Sequence, residues 1–168
     1  MKRQAKPITI LVADDNTVDC LLVKEAVKKA RLHNDLRFVA DGVELMDYLH
    51  RRGKYVKAAD APRPGLVLLD LNMPRKDGRE ALAEIKADPQ LSDLPIVVMT
   101  TSKADEDFWR ARGLGANIYL VKPVTFDALV NVVKSLGRYW FEIVDTEELP
   151  LEATGVASIA RPKPRKET

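Results

Sequence analysis

The sequence predicts an α/β fold in which a doubly wound, parallel, five-stranded sheet alternates with five helices. Three observations carry that prediction. From Ile8 onward, short apolar runs alternate with longer amphipathic segments, the pattern of repeated strand–helix units with helices on both faces of a sheet. Two of those runs pass straight into aspartates, Ile8–Ala13 into Asp14-Asp15 and Leu66–Leu69 into Asp70, as strands buried on both faces do. Asp41-Gly42, Asp77-Gly78 and Gly113-Leu114-Gly115 supply turn chemistry between the units.

Taken in order, strands are expected at Ile8–Ala13, Asp35–Val39, Leu66–Asp70, Ile96–Thr100 and Ile118–Val121. Helices are expected near Val18–Arg31, Val43–Arg51, Arg79–Ala87, Asp105–Leu114 and Phe126–Ile143. The repeat is (βα)5, and no internal repeat or low-complexity tract interrupts it. Residues 1–144 read as one domain with a long last helix, and residues 145–168 as a partly disordered tail, acidic at first and then basic and proline-containing. The stretch 51–65 is a long basic connection, read as a solvated loop or as a partner contact.

Composition narrows the functional classes. The 168 residues suffice for one full core. A net charge of +2 advertises neither nucleic acid nor membrane as a partner. A lone cysteine, Cys20, excludes an internal disulfide and favours a reducing compartment. With no signal peptide and no apolar run near the ~20 residues of a membrane span, a cytoplasmic protein is expected. His33 and His50 stand isolated, the Met and Trp residues show no cofactor pattern, and Cys20 reads as a small packed hydrophobe.

In an open parallel sheet, ligands sit outside the carboxyl ends of the strands where the strand order reverses. With the flavodoxin-like order 2-1-3-4-5, the first and third strands are neighbours, so Asp14, Asp15 and Asp70 crowd one crevice. Two such charges ~4 Å apart repel by about 4 kcal/mol at an effective dielectric near 20. A hard divalent cation relieves that repulsion, and Mg²⁺ suits oxygen ligands that share a phosphate. The fourth strand ends in Thr100 and the fifth is followed by Lys122-Pro123. A hydroxyl and an ammonium beside a metal-loaded carboxylate serve a transferring phosphoryl group, with Asp70 as the nucleophile.

Val12-Ala13-Asp14-Asp15-Asn16, Leu68-Leu69-Asp70-Leu71-Asn72-Met73-Pro74 with Asp77-Gly78, Val98-Met99-Thr100-Thr101-Ser102 and Val121-Lys122-Pro123 resemble the signature stretches of response-regulator receiver domains. The resemblance spans about residues 7–138. It implies a phosphohistidine donor on a sensor histidine kinase and Asp70 as acceptor. It also implies that Asp15, Asp70 and the Asn72 carbonyl hold Mg²⁺, that Asp14 acts through water, and that Lys122 pairs with the phosphoryl group. A cis Lys122-Pro123 bond and a switch formed by Thr100 and Tyr119 follow from the same family.

Arg52-Gly53-Lys54-Tyr55, Ala61-Pro62-Arg63-Pro64, Asp77-Gly78-Arg79-Glu80, Ile85-Lys86-Ala87-Asp88-Pro89 and Thr100-Thr101-Ser102-Lys103 resemble a narrower group, the single-domain response regulators paired with phytochromes. That resemblance implies a light-sensing kinase as donor and a C-terminal dimerisation arm.

The last helix carries two apolar stripes about 100° apart. Phe126, Leu129, Val130, Val133 and Trp140 are expected to face the sheet, and Val132, Leu136, Tyr139 and Ile143 to lie to one side. With Trp140 and Phe141 in the extension, the second stripe predicts a homodimer through Val132, Leu136, Tyr139, Trp140, Phe141 and Ile143, Trp109 being a weaker contributor. No effector domain is expected after it, so the signal is expected to leave by protein contact, through a downstream phosphotransfer protein or feedback on the kinase.

Two rivals remain. A haloacid-dehalogenase-like phosphatase also uses an aspartyl phosphate and Mg²⁺, but it needs an acid–base carboxylate where this chain has Asn72. A pseudo-receiver would bind partners without phosphorylation, against which the full set of Asp14, Asp15, Asp70, Thr100 and Lys122 stands.

Overall fold

The computed structural model describes residues 8–138. The elements follow the predicted alternation: β1 Ile10–Ala13, α1 Thr17–Lys29, β2 Leu36–Val39, α2 Gly42–His50, β3 Leu66–Asp70, α3 Gly78–Ala87, β4 Ile96–Thr100, α4 Lys103–Arg112, β5 Ile118–Val121 and α5 Phe126–Leu136. The five strands form one parallel sheet in the order β2-β1-β3-β4-β5.

Side-chain alternation along the strands builds two cores. Ile10, Val12, Leu66, Leu68, Val97, Met99, Ile118 and Leu120 face one way, onto Val23, Ala26 and Val27 of α1 and the buried side of α5. Leu11, Ala13, Val67, Leu69, Ile96, Val98 and Tyr119 face the other way, onto Leu45, Met46 and Tyr48 of α2 and Ala81, Leu82 and Ile85 of α3. Burial on both faces explains why these strands read as continuous apolar runs.

Capping decides where the helices begin. Asn16, Asp41, Asp77, Ser102 and Thr125 each accept a backbone N–H from the first turn that follows, which satisfies donors with no partner inside the helix. α2, α3 and α4 therefore start one or two residues earlier than the apolar periodicity predicts. Gly42 and Gly78, read as turn residues, are first helical residues at close approaches. A Cβ on Gly42 would lie 2.2 Å from the Lys76 carbonyl oxygen, and one on Gly78 would lie 2.4 Å from that of Asp70.

Most residues of the 51–65 connection are exposed, as in a solvated loop, but the connection is partly structured. It contains two 3₁₀ turns, Gly53–Tyr55 and Ala58–Asp60, and it packs back on α2. Tyr48 donates its hydroxyl to the Pro62 carbonyl at 2.8 Å, Tyr55 donates to Glu44 Oε1 at 2.6 Å, and the two rings meet edge-on at 5.0 Å. Burial pushes the Tyr48 hydroxyl up to about 12.

The last helix corrects the expected dimer face. Val132 and Leu136, placed on an outward stripe by the sequence, are buried in the core between the sheet and α1. The physical reason is that α5 is covered on two sides: one stripe meets the sheet and the other meets α1. The remaining proposed interface residues, Tyr139, Trp140, Phe141 and Ile143, lie outside the described residues, as does the tail. Trp109 is half-buried against the α3 side of the sheet instead of joining α5. No described helix is long and apolar enough to cross a membrane.

Candidate functional site

The register aligns the two acidic strand ends. Ala13 lies opposite Leu69 across the β1–β3 pair, so Asp14 and Asp70 leave the sheet side by side. Each then makes the same turn: Asp14 Oδ1 accepts the Asn16 N–H at 2.9 Å, and Asp70 Oδ1 accepts the Asn72 N–H at 3.0 Å. Each Oδ2 turns the same way, onto Lys122 Nζ, at 3.0 Å for Asp14 and 3.1 Å for Asp70. Both aspartates are buried, whereas Asp15 is exposed at the rim.

An ammonium has three N–H donors, and Lys122 places one on each of three carboxylates. The third is Asp19 Oδ2 at 2.9 Å. Asp19 was not singled out in the sequence, where it looks like a solvated helix charge. The signal lies in its position: it sits three residues after the Asn16 cap, in the turn of α1 that folds back over the strand ends. Burial lowers the affinity of Lys122 for its proton, but hydrogen bonds to Asp19 and Asp14 and the charge of Asp70 outweigh it, so its pKa lies well above the ordinary range. Burial raises Asp70 above the usual carboxylate range. The Asn72 N–H and Lys122 offset this only in part, and the charge of Asp14 adds to the rise.

One carboxylate oxygen from each of Asp14, Asp15 and Asp70 lies within 4.8 Å of the others. This all-oxygen, negatively charged set fits a hard divalent cation, and the ammonium of Lys122 reaching into it shows that the site draws positive charge. Asn72 is fixed beside Asp70 by its own N–H.

Thr100 is fully buried, and its hydroxyl is within reach of the carbonyls of Ser102 at 3.1 Å and Leu120 at 3.4 Å. Its carbonyl accepts the Lys122 N–H at 2.7 Å, which ties the end of β4 to the start of the Lys122 loop. The Tyr119 ring lies in the core, and its hydroxyl oxygen accepts the Ala116 N–H at 3.2 Å. The Lys122–Pro123 peptide is trans, since no described peptide bond is cis. This corrects the expected cis bond and follows the intrinsic trans preference of X–Pro bonds, about 0.5–1 kcal/mol.

Cys20 packs at the edge of the core and its thiol reaches the Asp14 carbonyl at 3.5 Å. Sequence reasoning also missed the pairing of buried Asp41 with Arg75, whose Nε and Nη2 both lie 2.8 Å from Asp41 Oδ2. Arg75 has a left-handed backbone conformation (φ 62°).

Comparison with known proteins agrees with this geometry. The family described as the response regulator receiver domain matches residues 10–134. Response regulator Rcp1 of Synechocystis sp. is 40% identical over 138 residues, covering 82% of this chain and 92% of that protein. The phosphorylated cyanobacterial phytochrome response regulator RcpA superposes with a TM-score of 0.72 at 38% identity, over 83% of this chain and 98% of that one. Response regulator RPA3017, from red light signalling in R. palustris, gives 0.75 at 36% identity, over 84% and 99%. With its five strands in the order 2-1-3-4-5 and its aspartates gathered at their carboxyl ends, the chain belongs to the response regulator receiver domain family.

Proposed function

We propose that this protein accepts a phosphoryl group on Asp70 from a sensor histidine kinase of the phytochrome type, with Mg²⁺ at Asp14, Asp15, Asp70 and the Asn72 carbonyl. The carrying observation is the convergence of the Asp14 and Asp70 Oδ2 atoms on the Lys122 ammonium. Bound at the carboxylates, the cation would neutralise them and draw the phosphoryl oxygens towards Asp70. An Asp70 oxygen attacks phosphorus and the phosphorus–nitrogen bond to the donor imidazole breaks, the electron pair leaving with the imidazole. Lys122 moves its hydrogen bond from Asp70 Oδ2 to a phosphoryl oxygen. The Thr100 hydroxyl turns from the backbone carbonyls towards the new charge, and Tyr119 occupies the space beside it.

The kinase assignment draws on RcpA, a phytochrome response regulator by name, and on RPA3017 from red light signalling. The apolar residues around the site's mouth favour a docked protein: Val18, Leu21 and Leu22 on α1 and Val124 after Lys122 are exposed. The phosphorylated protein signals in the cytoplasm by contact, to a downstream phosphotransfer protein or back to the kinase, and acts on no outside substrate. It forms a homodimer through Tyr139, Trp140, Phe141 and Ile143, with Val132 and Leu136 serving the fold.

Incubation with Mg²⁺ and acetyl phosphate followed by intact-mass measurement tests the core of this reading. The expected result is one added phosphoryl group, absent in Asp70→Asn. An unmodified parent chain, or phosphate retained in Asp70→Asn, overturns it. Multiple turnover of an external phosphate ester would favour a phosphatase. A strictly monomeric species at tens of micromolar would overturn the dimer.

A further inference from the structure

Arg79 is placed where helix electrostatics disfavour it. It is the second residue of α3 after the Asp77 cap, and a cation in the first turn opposes the positive end of the helix dipole. Its Nε is the one buried side-chain polar atom among the described residues left without a hydrogen-bond partner. Two unfavourable features at one residue call for an offsetting role, and the contacts of the guanidinium show one. Nη1 donates to Asp77 Oδ2 at 3.1 Å, Nη2 lies 3.4 Å from Asn72 Oδ1, and the guanidinium carbon sits 4.4 Å from the centroid of the Trp109 ring.

These contacts bridge two elements. Asn72 belongs to the loop that leaves Asp70, and Trp109 belongs to α4. The next residue of α4, Arg110, donates through Nη2 to the Tyr119 carbonyl at 2.8 Å, which continues the connection to β5. A guanidinium is suited to this task because its plane stacks on an indole while its edge makes two hydrogen bonds; an ammonium does one or the other.

Resting on the receiver reading above, we propose that Arg79 is a positioning residue: it holds Asn72 in place for the metal and links that loop, through Trp109, to α4. Loss of the guanidinium therefore loosens Asn72 and uncouples α4 from chemistry at Asp70. Arg79 itself touches neither metal nor phosphoryl group.

The test uses the full chain with Trp140→Phe, so that Trp109 is the only indole, and every variant is compared with that same background so that any effect of Trp140 on assembly is common to all. Arg79→Met keeps the packed stem and removes the fork, and Arg79→Lys keeps the charge. Without metal, Arg79→Met is expected to raise acrylamide quenching of Trp109 about twofold. The half-saturating Mg²⁺ for phosphorylation by acetyl phosphate should rise at least threefold, with the rate at saturating Mg²⁺ retained. The Trp109 emission change that accompanies phosphorylation should disappear, and Arg79→Lys should restore none of these. Trp109→Leu offers a check from the other side: it should raise the Mg²⁺ requirement similarly, and the double variant should be no worse than either single one. Unchanged quenching and Mg²⁺ requirement in a folded Arg79→Met chain, or additive effects of the two substitutions, overturn the proposal. If the parent chain takes no phosphate on Asp70, the receiver reading falls and the coupling with it; if the parent is phosphorylated and Arg79→Met behaves identically, the coupling alone falls.

Discussion

Lys122 Nζ lies 2.9 Å from Asp19 Oδ2, so a carboxylate outside the three clustered strand-end aspartates is the nearest partner of the ammonium at the site's centre. The three carboxylates around Lys122 share one cation, and much of the local stability depends on it. Replacing Lys122 by Met should destabilise the metal-free protein by on the order of 3 kcal/mol, because buried Asp14 and Asp70 lose their counter-charge. Urea unfolding with and without MgCl₂ checks this. Mg²⁺ should recover more stability in Lys122→Met than in the parent, and equal gains would contradict the shared-charge account.

Gly78 abuts the backbone of the proposed acceptor, where an added Cβ would lie 2.4 Å from the Asp70 carbonyl oxygen. Gly78→Ala should cost about 1–3 kcal/mol, the usual range for forced overpacking. Phosphorylation by acetyl phosphate should slow in the same variant, since the clash can be relieved only by moving Asp70 or the helix. Denaturant titration and the rate of mass gain measure the two effects separately.

Asp41 both caps α2 and pairs with Arg75. Asp41→Asn keeps a capping oxygen and should lose about 1 kcal/mol, because Arg75 is largely exposed and its ion pair is screened. Asp41→Ala removes the cap as well and should lose roughly 1 kcal/mol more. Similar stabilities for the two variants in urea would show that the cap is not what Asp41 contributes.

Tyr48 should ionise late. Its folded pKa, pushed up to about 12 by burial, exceeds the ordinary value near 10, so the native state favours the neutral phenol. The associated stability is fully present below about pH 10 and is lost as pH rises towards 12. Absorbance titration of phenolate should show a late step that disappears in Tyr48→Phe, which should also be less stable by about 1 kcal/mol through the lost bond to Pro62.

Leu136 is buried within the chain's own core. Leu136→Ala should lower unfolding stability by about 2–5 kcal/mol and leave the oligomeric state at a fixed concentration unchanged while the protein stays folded. Sizing and urea unfolding on the same sample separate a core role from an interface role.

Strand positions were legible because both faces of the central strands are covered, leaving few polar interruptions between Leu66 and Leu69 or between Ile96 and Met99. Helix starts were less so: periodicity detects where packing begins, whereas the first turn is set by caps such as Asn16 and Asp77. Asp14, Asp70 and Lys122 could be gathered from sequence because strand order alone brings their strand ends to one edge of the sheet. Asp19 and Arg79 could not, since their partners lie 103 residues away in Lys122 and on α4 in Trp109. The second stripe of α5 was legible as apolar, but a stripe does not reveal its cover, and here α1 supplies it.

That cover leaves α5 a narrow outward face. Asp127, Asn131 and Lys134 are its exposed side chains, continued by Arg138 just past its end, spaced four, three and four residues apart in a single polar row. Any contact made along this part of the helix would be governed by matched charges and amides instead of greasy area. It would weaken as ionic strength rises, and swapping the sign of one position, as in Lys134→Glu, could redirect its choice of neighbour without touching the core.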